Sequence, residues 1–534
     1  MNLWSQPIDP LHGMALSATA AALPLVVVLV VMGVLRRPGY VAAASGLACS
    51  FLLACFIWHM PVRLALVSTG YGFVYALWPI MWIVFAALWL YNLTVETGKF
   101  DLLRSWMERH ASGDMRVQAV MVAFCFGALL EGTAGFGAPV AVTSFLLLAL
   151  GFKANRAVTL SLIANTTPVA FGALGIPIVA LAAVTNLDQM KLSAMVGRQL
   201  PFMSLLLPAY LILFLSGRKG LREAWPAALV SGATFAGVQF AVANYWGPYA
   251  VDVLASLTSI VALTIFLRFW KPKTIVRPGL ESTNLESIPR PSLANSVNAW
   301  IPWGLLAAVM IVWSYFKVFK RFQISIPVPW LHNAVYLALY RKPYAAIYDF
   351  QPLAAGTAAL TATVIAALML GASGRVFIRS GITTLRQLLL PGLTVLLIVG
   401  LSYIYNYSGM AYTLGAALAG FGRRFPLASG FLGWMACFLS GSDTSSNLLF
   451  GNLQVAAGHQ LGISPVLLAA TNSSGAVTGK MISPQNIAVG VTTVGLTGKE
   501  GEILHEIFWH SVAFAAVLSL LAFAQAYVLR WMVP

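Results

Sequence analysis

The sequence has very few charged side chains. Only 9% of its 534 residues are Asp, Glu, Lys or Arg, and 59% are hydrophobic, whereas about 25% charged is usual for a soluble globular domain. Apolar runs of about 18 residues or more, each long enough to cross a hydrocarbon core about 30 Å thick as a helix, recur along the whole chain. The composition therefore predicts an all-α polytopic membrane protein and leaves no stretch polar enough for a separate soluble domain.

Cysteine is also scarce. Its four residues (Cys49, Cys55, Cys125 and Cys437) lie in apolar segments without the Cys and His spacing of a metal site, so neither a disulfide framework nor a structural metal is indicated. The sequence contains no nucleotide-binding fingerprint, no Ser/His/Asp arrangement and no haem or iron–sulfur spacing. We therefore expect no chemistry on a covalent bond, no cofactor and no metal.

The formal net charge is +16, but the basic residues are scattered through short loops, which is typical of membrane topology rather than of nucleic-acid binding. The apolar run 16–35 follows a start without the positive region of a secretory signal and ends at Arg36 and Arg37 without a cleavage-like site. We expect it to be a retained first span, with the N-terminus outside. Arg36, Arg37 and the basic loop 99–116 would then be cytoplasmic.

We count about 12 to 14 transmembrane helices. Residues 1–270 are predicted to be a first transmembrane half, 271–299 a polar loop between halves, and 300–534 a second half. The basic and aromatic region 317–351 is expected to be interfacial or extramembrane.

Two acids lie deep in apolar sequence: Glu131 in LEGTAGFGAPVAV (130–142) and Asp443 in LSGSDTSSNLLFGN (439–452). A charge at such a depth costs roughly 2.5 to 3.5 kcal/mol even on lenient scales. The other 14 of the 16 acids are expected in loops, at segment ends or in polar stretches. Because a carboxyl group in a poorly hydrated cavity can exchange its proton at physiological pH, we predict that Glu131 and Asp443 couple transport to protons. A structural pair bonded to backbone amides or a lysine is the alternative.

Glycine and proline surround these acids. Gly132, Gly135, Gly137 and Pro139 follow Glu131, and Gly172, Gly175 and Pro177 follow a second polar cluster that begins at Asn165. Such residues predict helices broken or hairpinned at membrane depth, where freed backbone groups face a polar cavity.

The two halves share a pattern. Cys125 precedes Glu131 by six positions, as Cys437 precedes Asp443, while Asn165, Gly172 and Pro177 correspond to Asn472, Gly479 and Pro484 at one constant offset of 307. Interrupted apolar segments at corresponding positions of two halves point to a transporter binding site at the repeat interface. We favour an inverted repeat, with broken helices or re-entrant hairpins at the midplane.

Short polar side chains near both acids are candidates for substrate binding, because hydroxyls, amides and helix N-termini stabilise a carboxylate. The alternative is that they connect helices or cap them. The candidates are Gly132, Thr133, Gly135, Asn165, Thr166, Thr167, Thr444, Ser445, Ser446, Asn447, Asn472, Ser473 and Ser474.

Lys480 is the last candidate of this site, and the one basic residue between Arg424 and Lys499. It could bind a substrate carboxylate, hold Asp443 ionised, or extend its ammonium to an interface. The hydroxyls of Tyr403, Tyr405 and Tyr407 could serve a small anion, although aromatic belts are common in membrane proteins.

Several long motifs carry a family resemblance: YGFVYALWPI, CFGALLEGTAGFGAPVAV, VGRQLPFM, GWMACFLSGSDTSSN and TGKMISPQ. Through them the chain resembles the L-lactate permease family over essentially its whole length. The resemblance implies a transporter of the bacterial inner membrane that imports L-lactate, D-lactate or glycolate by proton symport. It also implies inverted repeats with Asn and hydroxyl residues at hairpin tips.

The expected partners are thus a small 2-hydroxymonocarboxylate, H⁺ and the lipid bilayer. Two other functions fit the residues alone. A sodium-coupled carboxylate carrier would use the same Asn and hydroxyl clusters for Na⁺, and a subunit of a membrane redox complex would bury acids to conduct protons.

Overall fold

The computed structural model describes residues 3–35, 37–110, 113–135, 137–276, 293–318, 321–338 and 341–534. Within them, eight helical stretches are long and apolar enough to cross a membrane. A ninth results if the pair Ala154–Ala164 and Val169–Thr185, bent by 64°, is one span. The prediction of a helical polytopic membrane protein with broken helices is confirmed. Most of the predicted loop between the halves, 277–292, lies outside the described residues, and the domain boundaries stay a prediction.

Thirteen of the described α-helices precede that loop. They are α1 (Met14–Leu29), α2 (Gly39–Phe56), α3 (Val62–Tyr75), α4 (Trp82–Glu96), α5 (Lys99–His110), α6 (Met115–Gln118), α7 (Gly127–Thr133), α8 (Ala138–Ala149), α9 (Ala154–Ala164), α10 (Gly172–Thr185), α11 (Gln189–Val196), α12 (Leu200–Tyr245) and α13 (Val251–Phe269). Three π-helical segments, Val30–Val34, Ala76–Met81 and Ala119–Phe126, extend or join neighbouring helices.

The second half contributes nine more. They are α14 (Leu293–Tyr315), α15 (Ala355–Met369), α16 (Gly374–Ser408), α17 (Met410–Leu418), α18 (Phe425–Ser440), α19 (Asp443–Leu461), α20 (Pro465–Lys480), α21 (Pro484–Thr493) and α22 (Glu500–Tyr527).

Five short strands are the non-helical addition to this fold: β1 (Trp4–Ser5), β2 (Ile324–Pro327), β3 (Val335–Leu337), β4 (Lys342–Pro343) and β5 (Ile347–Phe350). The parallel pair β1 and β3 and the antiparallel pair β3 and β4 form one sheet, and β2 pairs antiparallel with β5, with Ile324 opposite Phe350. The described strands of this region thus form two small sheets, and one of them holds the N-terminal strand β1 through β3.

A first helical hairpin consists of the continuous stretch Met115–Thr133 and α8. Gly135 (φ 58°) and Gly137 (φ 84°) turn the chain between them, in a conformation that favours glycine. A second hairpin consists of α18 and α19, with Gly441 (φ 69°) at its turn. Each hairpin is followed by a broken helix, formed by α9 and α10 in the first half and by α20 and α21 in the second.

The two hairpins enter the protein from opposite faces, as their contacts with the two ends of α22 show. Beyond α8, Arg156 bonds to Glu506 in the early turns of α22 at 2.8 Å. Just before α18, the carbonyl of Arg423 accepts a hydrogen bond from the Tyr527 hydroxyl at the far end of α22, at 2.9 Å. At 1.5 Å per residue these ends are roughly 30 Å apart, about the thickness of a bilayer core.

Glycine lets α18 and α20 approach until their backbones touch. A Cβ added at Gly433 would lie 2.0 Å from the carbonyl oxygen of Asn472, and one added at Gly475 would lie 2.0 Å from that of Gly430. Small residues allow this approach between membrane helices. The second hairpin and the helix that carries Asn472 therefore form one tight unit.

Gly475→Ala should destabilise this unit, because the added methyl meets backbone that cannot move aside. We expect a loss of about 1–3 kcal/mol in the free energy of unfolding, measured by denaturant unfolding in detergent. Gly237→Ala in α12 is the control, since an added Cβ there has nothing within 4 Å. Equal stability of the two variants would contradict the backbone contact.

Candidate functional site

The breaks in the two halves meet at one cavity of about 380 Å³. Glu131, Asp443 and Lys480 line it together, although Glu131 and Lys480 are 349 positions apart in the sequence. The remaining wall comes from the turns of both hairpins, from α10 and α21, from the segment between α1 and α2 together with the start of α2 at Gly39, and from α16 near Thr394. Among the described residues that line this cavity, these two acids and this lysine are the charged ones.

Glu131 lies in the last turns of α7 and is 3% exposed. Its Oε1 accepts a hydrogen bond from Lys480 Nζ at 2.8 Å, and its Oε2 accepts one from Asn165 Nδ2 at 3.0 Å. Gly172 makes room for this carboxylate, because a Cβ there would lie 2.6 Å from Oε1. Of the roles open to Lys480, the structure thus places its ammonium on Glu131, buried rather than at an interface.

Asp443 is the first residue of α19, where the positive end of the helix dipole favours a negative charge. Its Oδ2 accepts a hydrogen bond from Ser473 Oγ at 2.8 Å. Its other oxygen, Oδ1, has no hydrogen-bond partner within the described part of the chain. The side chain is 2% exposed, so Asp443 borders the cavity with half of its bonding capacity unused.

The remaining polar residues of α19 and α20 bond mainly to one another. Asn447 Nδ2 donates to Ser473 Oγ at 3.1 Å and to the carbonyl oxygen of Pro177 at 3.2 Å. Asn472 Nδ2 donates to Asn447 Oδ1 at 3.0 Å. This network joins the two halves at their breaks and holds Ser473 against Asp443.

The predicted binding residues divide into two groups by position. Gly135, Thr444 and Ser445 line the cavity with Lys480 and both acids. The other candidates lie behind the cavity surface. Four of them donate hydrogen bonds within the protein, namely Thr133 to Leu129 O, Thr166 to Ile163 O, Ser446 to Gly433 O and Ser474 to Gln199 Oε1. The bonds of Asn165, Asn447, Asn472 and Ser473 are those given above, and Gly132 and Thr167 are buried in the same region.

Residues that the sequence analysis missed complete the wall: Ser440, Ser442, Gln485 and Asn486. These residues are adjacent in the sequence to the motifs around Asp443 and Lys480, and this adjacency was the one sequence feature that could have identified them. Asp252 was also missed. It stands at the start of a span, as expected, but it is 1% exposed and packs against Gly132.

The tyrosines of α16 lie away from this cavity. Tyr405 donates its hydroxyl hydrogen to the carbonyl oxygen of Ala21 at 2.9 Å, and Tyr407 stacks on Tyr344 with centroids 4.3 Å apart. They join α16 to α1 and to the sheets around β3.

Backbone groups also face the chamber. Helices α8, α19 and α21 begin beside it, at Gly137, Ser442 and Ser483 respectively. Ala173 (φ 43°) and Leu174 (φ 59°) adopt left-handed conformations where α10 is broken, a strain that persists where surrounding structure enforces it. Helix N-termini directed at one chamber favour an anionic guest.

A polytopic helical protein whose broken helices surround a chamber with two buried acids and a lysine in its wall belongs to the class of membrane transporters. The model of the L-lactate permease family matches residues 17–529, and the chain belongs to that family. It is therefore an integral multi-pass protein of the bacterial inner membrane.

Curated relatives match along their full length. The chain is 43% identical to the glycolate permease GlcA of Escherichia coli K12, 42% to the L-lactate permease of the same strain and 42% to the L-lactate permease of Bacillus subtilis 168, covering 99–100% of each chain. Among solved structures, the Alcanivorax borkumensis YdaH transporter has 14% identity and a TM-score of 0.46, over 86% of this chain and 87% of that one.

Lys480→Gln leaves the Glu131 carboxylate buried without its cation. We expect a loss of about 3–5 kcal/mol in the free energy of unfolding, because breaking one side of a buried ion pair is strongly destabilising. Glu131→Gln combined with Lys480→Gln should be more stable than Lys480→Gln alone, as measured by denaturant unfolding in detergent.

The control is the partly exposed pair Arg156 and Glu506, where removing the arginine should cost about 1 kcal/mol or less. If the losses of the two single variants at Glu131 and Lys480 simply add in the double variant, the two side chains do not interact.

Proposed function

We propose that the protein imports L-lactate, D-lactate or glycolate by proton symport, with alternating access to the central cavity. The family, and the names of relatives that match over the full length, support lactate and glycolate as substrates. A cavity of about 380 Å³ lies within the usual range for small-molecule sites, about 300–1,000 Å³. It accommodates a molecule of lactate size.

The ion pair between Glu131 and Lys480 is the observation that carries the coupling. Lys480 is the only cation among the described residues that line the cavity, so the substrate carboxylate has to compete with Glu131 for it. Displacing Glu131 would leave a buried charge without a partner, at a cost of several kcal/mol. A proton on Glu131 removes that cost, so lactate and H⁺ enter the site together.

Asp443 completes this charge balance. Once Lys480 holds the substrate, an ionised Asp443 would add an uncompensated negative charge to the same chamber. Its bond from Ser473 leaves one oxygen free to carry a proton, which can then be donated in a hydrogen bond to the substrate hydroxyl. We assign Asp443 to a second proton-binding position that stays occupied through the cycle, so that one proton is coupled to each anion, with Thr444 and Ser445 beside the substrate.

The cavity reaches the surface on one side, at the exposed residues Pro38 and Gln485. Pro38 directly follows Arg36 and Arg37, which the charge distribution predicts to be cytoplasmic. We therefore assign this conformation to the inward-facing state. The opposite entry of the two hairpins along α22 supports an inverted repeat, in which rocking of one unit would expose the same site to the other side.

Glu131→Gln should mimic the protonated acid permanently. In proteoliposomes with an inward gradient of one pH unit, we expect wild-type lactate accumulation of about tenfold, the limit for one coupled proton, to fall to about one. Lactate–lactate exchange should continue, because Lys480 remains free for substrate. Glu502→Gln, in an exposed side chain, is the control and should accumulate lactate normally.

Full accumulation by Glu131→Gln would exclude Glu131 as the coupling group. Replacing Na⁺ by choline in the same vesicles should leave lactate uptake unchanged. That result would exclude the sodium-coupled alternative.

Charge balance also predicts electroneutral transport, with one lactate anion entering with one proton. A membrane potential imposed with K⁺ and valinomycin, without a pH gradient, should change the initial uptake rate by less than about twofold. A larger acceleration by an inside-negative potential would mean that more than one proton accompanies each anion.

A further inference from the structure

A third buried acid stands beside the proposed coupling group. Asp252 lies in the first turn of α13 and is 1% exposed. A Cβ added at Gly132 would lie 2.7 Å from the Cβ of Asp252 and 3.2 Å from the backbone nitrogen of Val253. The helix that carries Glu131 is therefore in direct contact with the turn that carries Asp252.

No cation is available to pair with Asp252. Both of its carboxylate oxygens lack a hydrogen-bond partner among the residues that the structure describes. The charged groups within electrostatic range are Glu131 and Lys480, and Lys480 is already bonded to Glu131. A buried carboxylate without a partner is very unfavourable, so Asp252 holds a proton in this state.

The other helices around α13 do not change this balance. Helices α10 and α14 have no charged residue in their sequences. The charged residues of α12 lie at positions 218–223, beside the opposite end of α13, where Arg116 bonds to Glu223 at 2.8 Å. Glu131 and Lys480 are thus the groups with which Asp252 can exchange charge.

The loop that precedes Asp252 lies on the face opposite the cavity mouth. The loop 246–250 that precedes it contacts the segment after α10, since Tyr249 bonds to Gln189 and a Cβ at Gly247 would lie 2.9 Å from Met190 Sδ. Next to that segment, Asn186 bonds to the Tyr344 hydroxyl at 3.4 Å.

The neighbours of Tyr344 show that it lies at the face of the protein opposite the cavity mouth. Its ring stacks on that of Tyr407 in α16. Two residues further on, Gly409 contacts Trp58, because a Cβ added at Gly409 would lie 3.6 Å from Trp58 Cδ1. Trp58 stands just beyond the end of α2. The cavity mouth lies at the start of α2, near Gly39, about 27 Å away along this helix of 18 residues.

We propose that Asp252 is a proton-relay residue that delivers protons to Glu131 from the outer face while the cavity is closed to the inside. The Asp252 carboxyl O–H bond breaks as the proton passes to a Glu131 carboxylate oxygen. Asp252 is left as a carboxylate and takes its next proton from the side of loop 246–250. No electrons are transferred, and the net result is one proton moved inward. The inference rests on the proposed proton symport.

The test compares Asp252→Asn with wild type in proteoliposomes. We expect the initial rate of pH-driven lactate uptake to fall at least about tenfold, while lactate–lactate exchange, in which Glu131 keeps its proton, retains at least half of the wild-type rate. That exchange should still depend on pH, because Glu131 remains titratable from the cavity. In Glu131→Gln the exchange should be independent of pH.

Two further variants control for packing. Ser256→Ala removes a fully buried hydroxyl from the next turn of α13 and should leave accumulation unchanged. Asp252→Glu keeps a carboxyl group and should retain proton movement, recorded as alkalinisation of the medium during uptake.

The outcomes separate the two proposals. Wild-type vesicles without pH-driven accumulation would overturn the proposed function itself. A normal initial rate of pH-driven uptake by Asp252→Asn, with wild type active, would overturn the relay alone. Loss of exchange as well as accumulation in Asp252→Asn, with both retained in Ser256→Ala, would make Asp252 structural and likewise overturn the relay.

Discussion

The buried ion pair between Lys480 and Glu131 is the interaction on which the rest of the site depends. It brings together residues of the two halves at a distance of 2.8 Å, in a chamber whose described wall has no other cation. With three buried acids nearby and one positive charge, the interior can hold one carboxylate at a time in ionised form without a large penalty. In the proposed mechanism, this limit links the binding of an anion to the uptake of a proton by charge alone.

The sequence predicted those parts of this site whose residues are unfavourable in an ordinary membrane-spanning helix. Acids in apolar runs, and glycine and proline beside them, identified Glu131, Asp443 and the hairpin turns, because each is costly unless a cavity accepts it. It could not predict the partner of Lys480, since pairing across 349 positions depends on how the halves pack. Asp252 stands at the end of a span, where an acid costs little free energy, so nothing in its local sequence distinguished it from an ordinary exposed acid.

The cavity wall combines two kinds of surface. On one side, α18 and α20 touch backbone to backbone through Gly433 and Gly475, which makes the polar half of the wall rigid. On the other side, α1, α2 and α16 present Met32, Leu390 and other largely apolar residues. Apolar contacts can slide with few bonds to break. Movement of the site relative to these helices is therefore easier than deformation of the site itself.

The same charge balance bears on which anions fit. In the proposed mode of binding, a 2-hydroxymonocarboxylate would use the single ammonium of Lys480 and leave its hydroxyl for Asp443, Thr444 or Ser445 at the cavity wall. The second carboxylate of a dicarboxylate would enter the same chamber with no cation to neutralise it, and an unpaired charge in a poorly hydrated chamber costs several kcal/mol. Selection for small monocarboxylates thus follows from the number of cations more than from the size of the cavity.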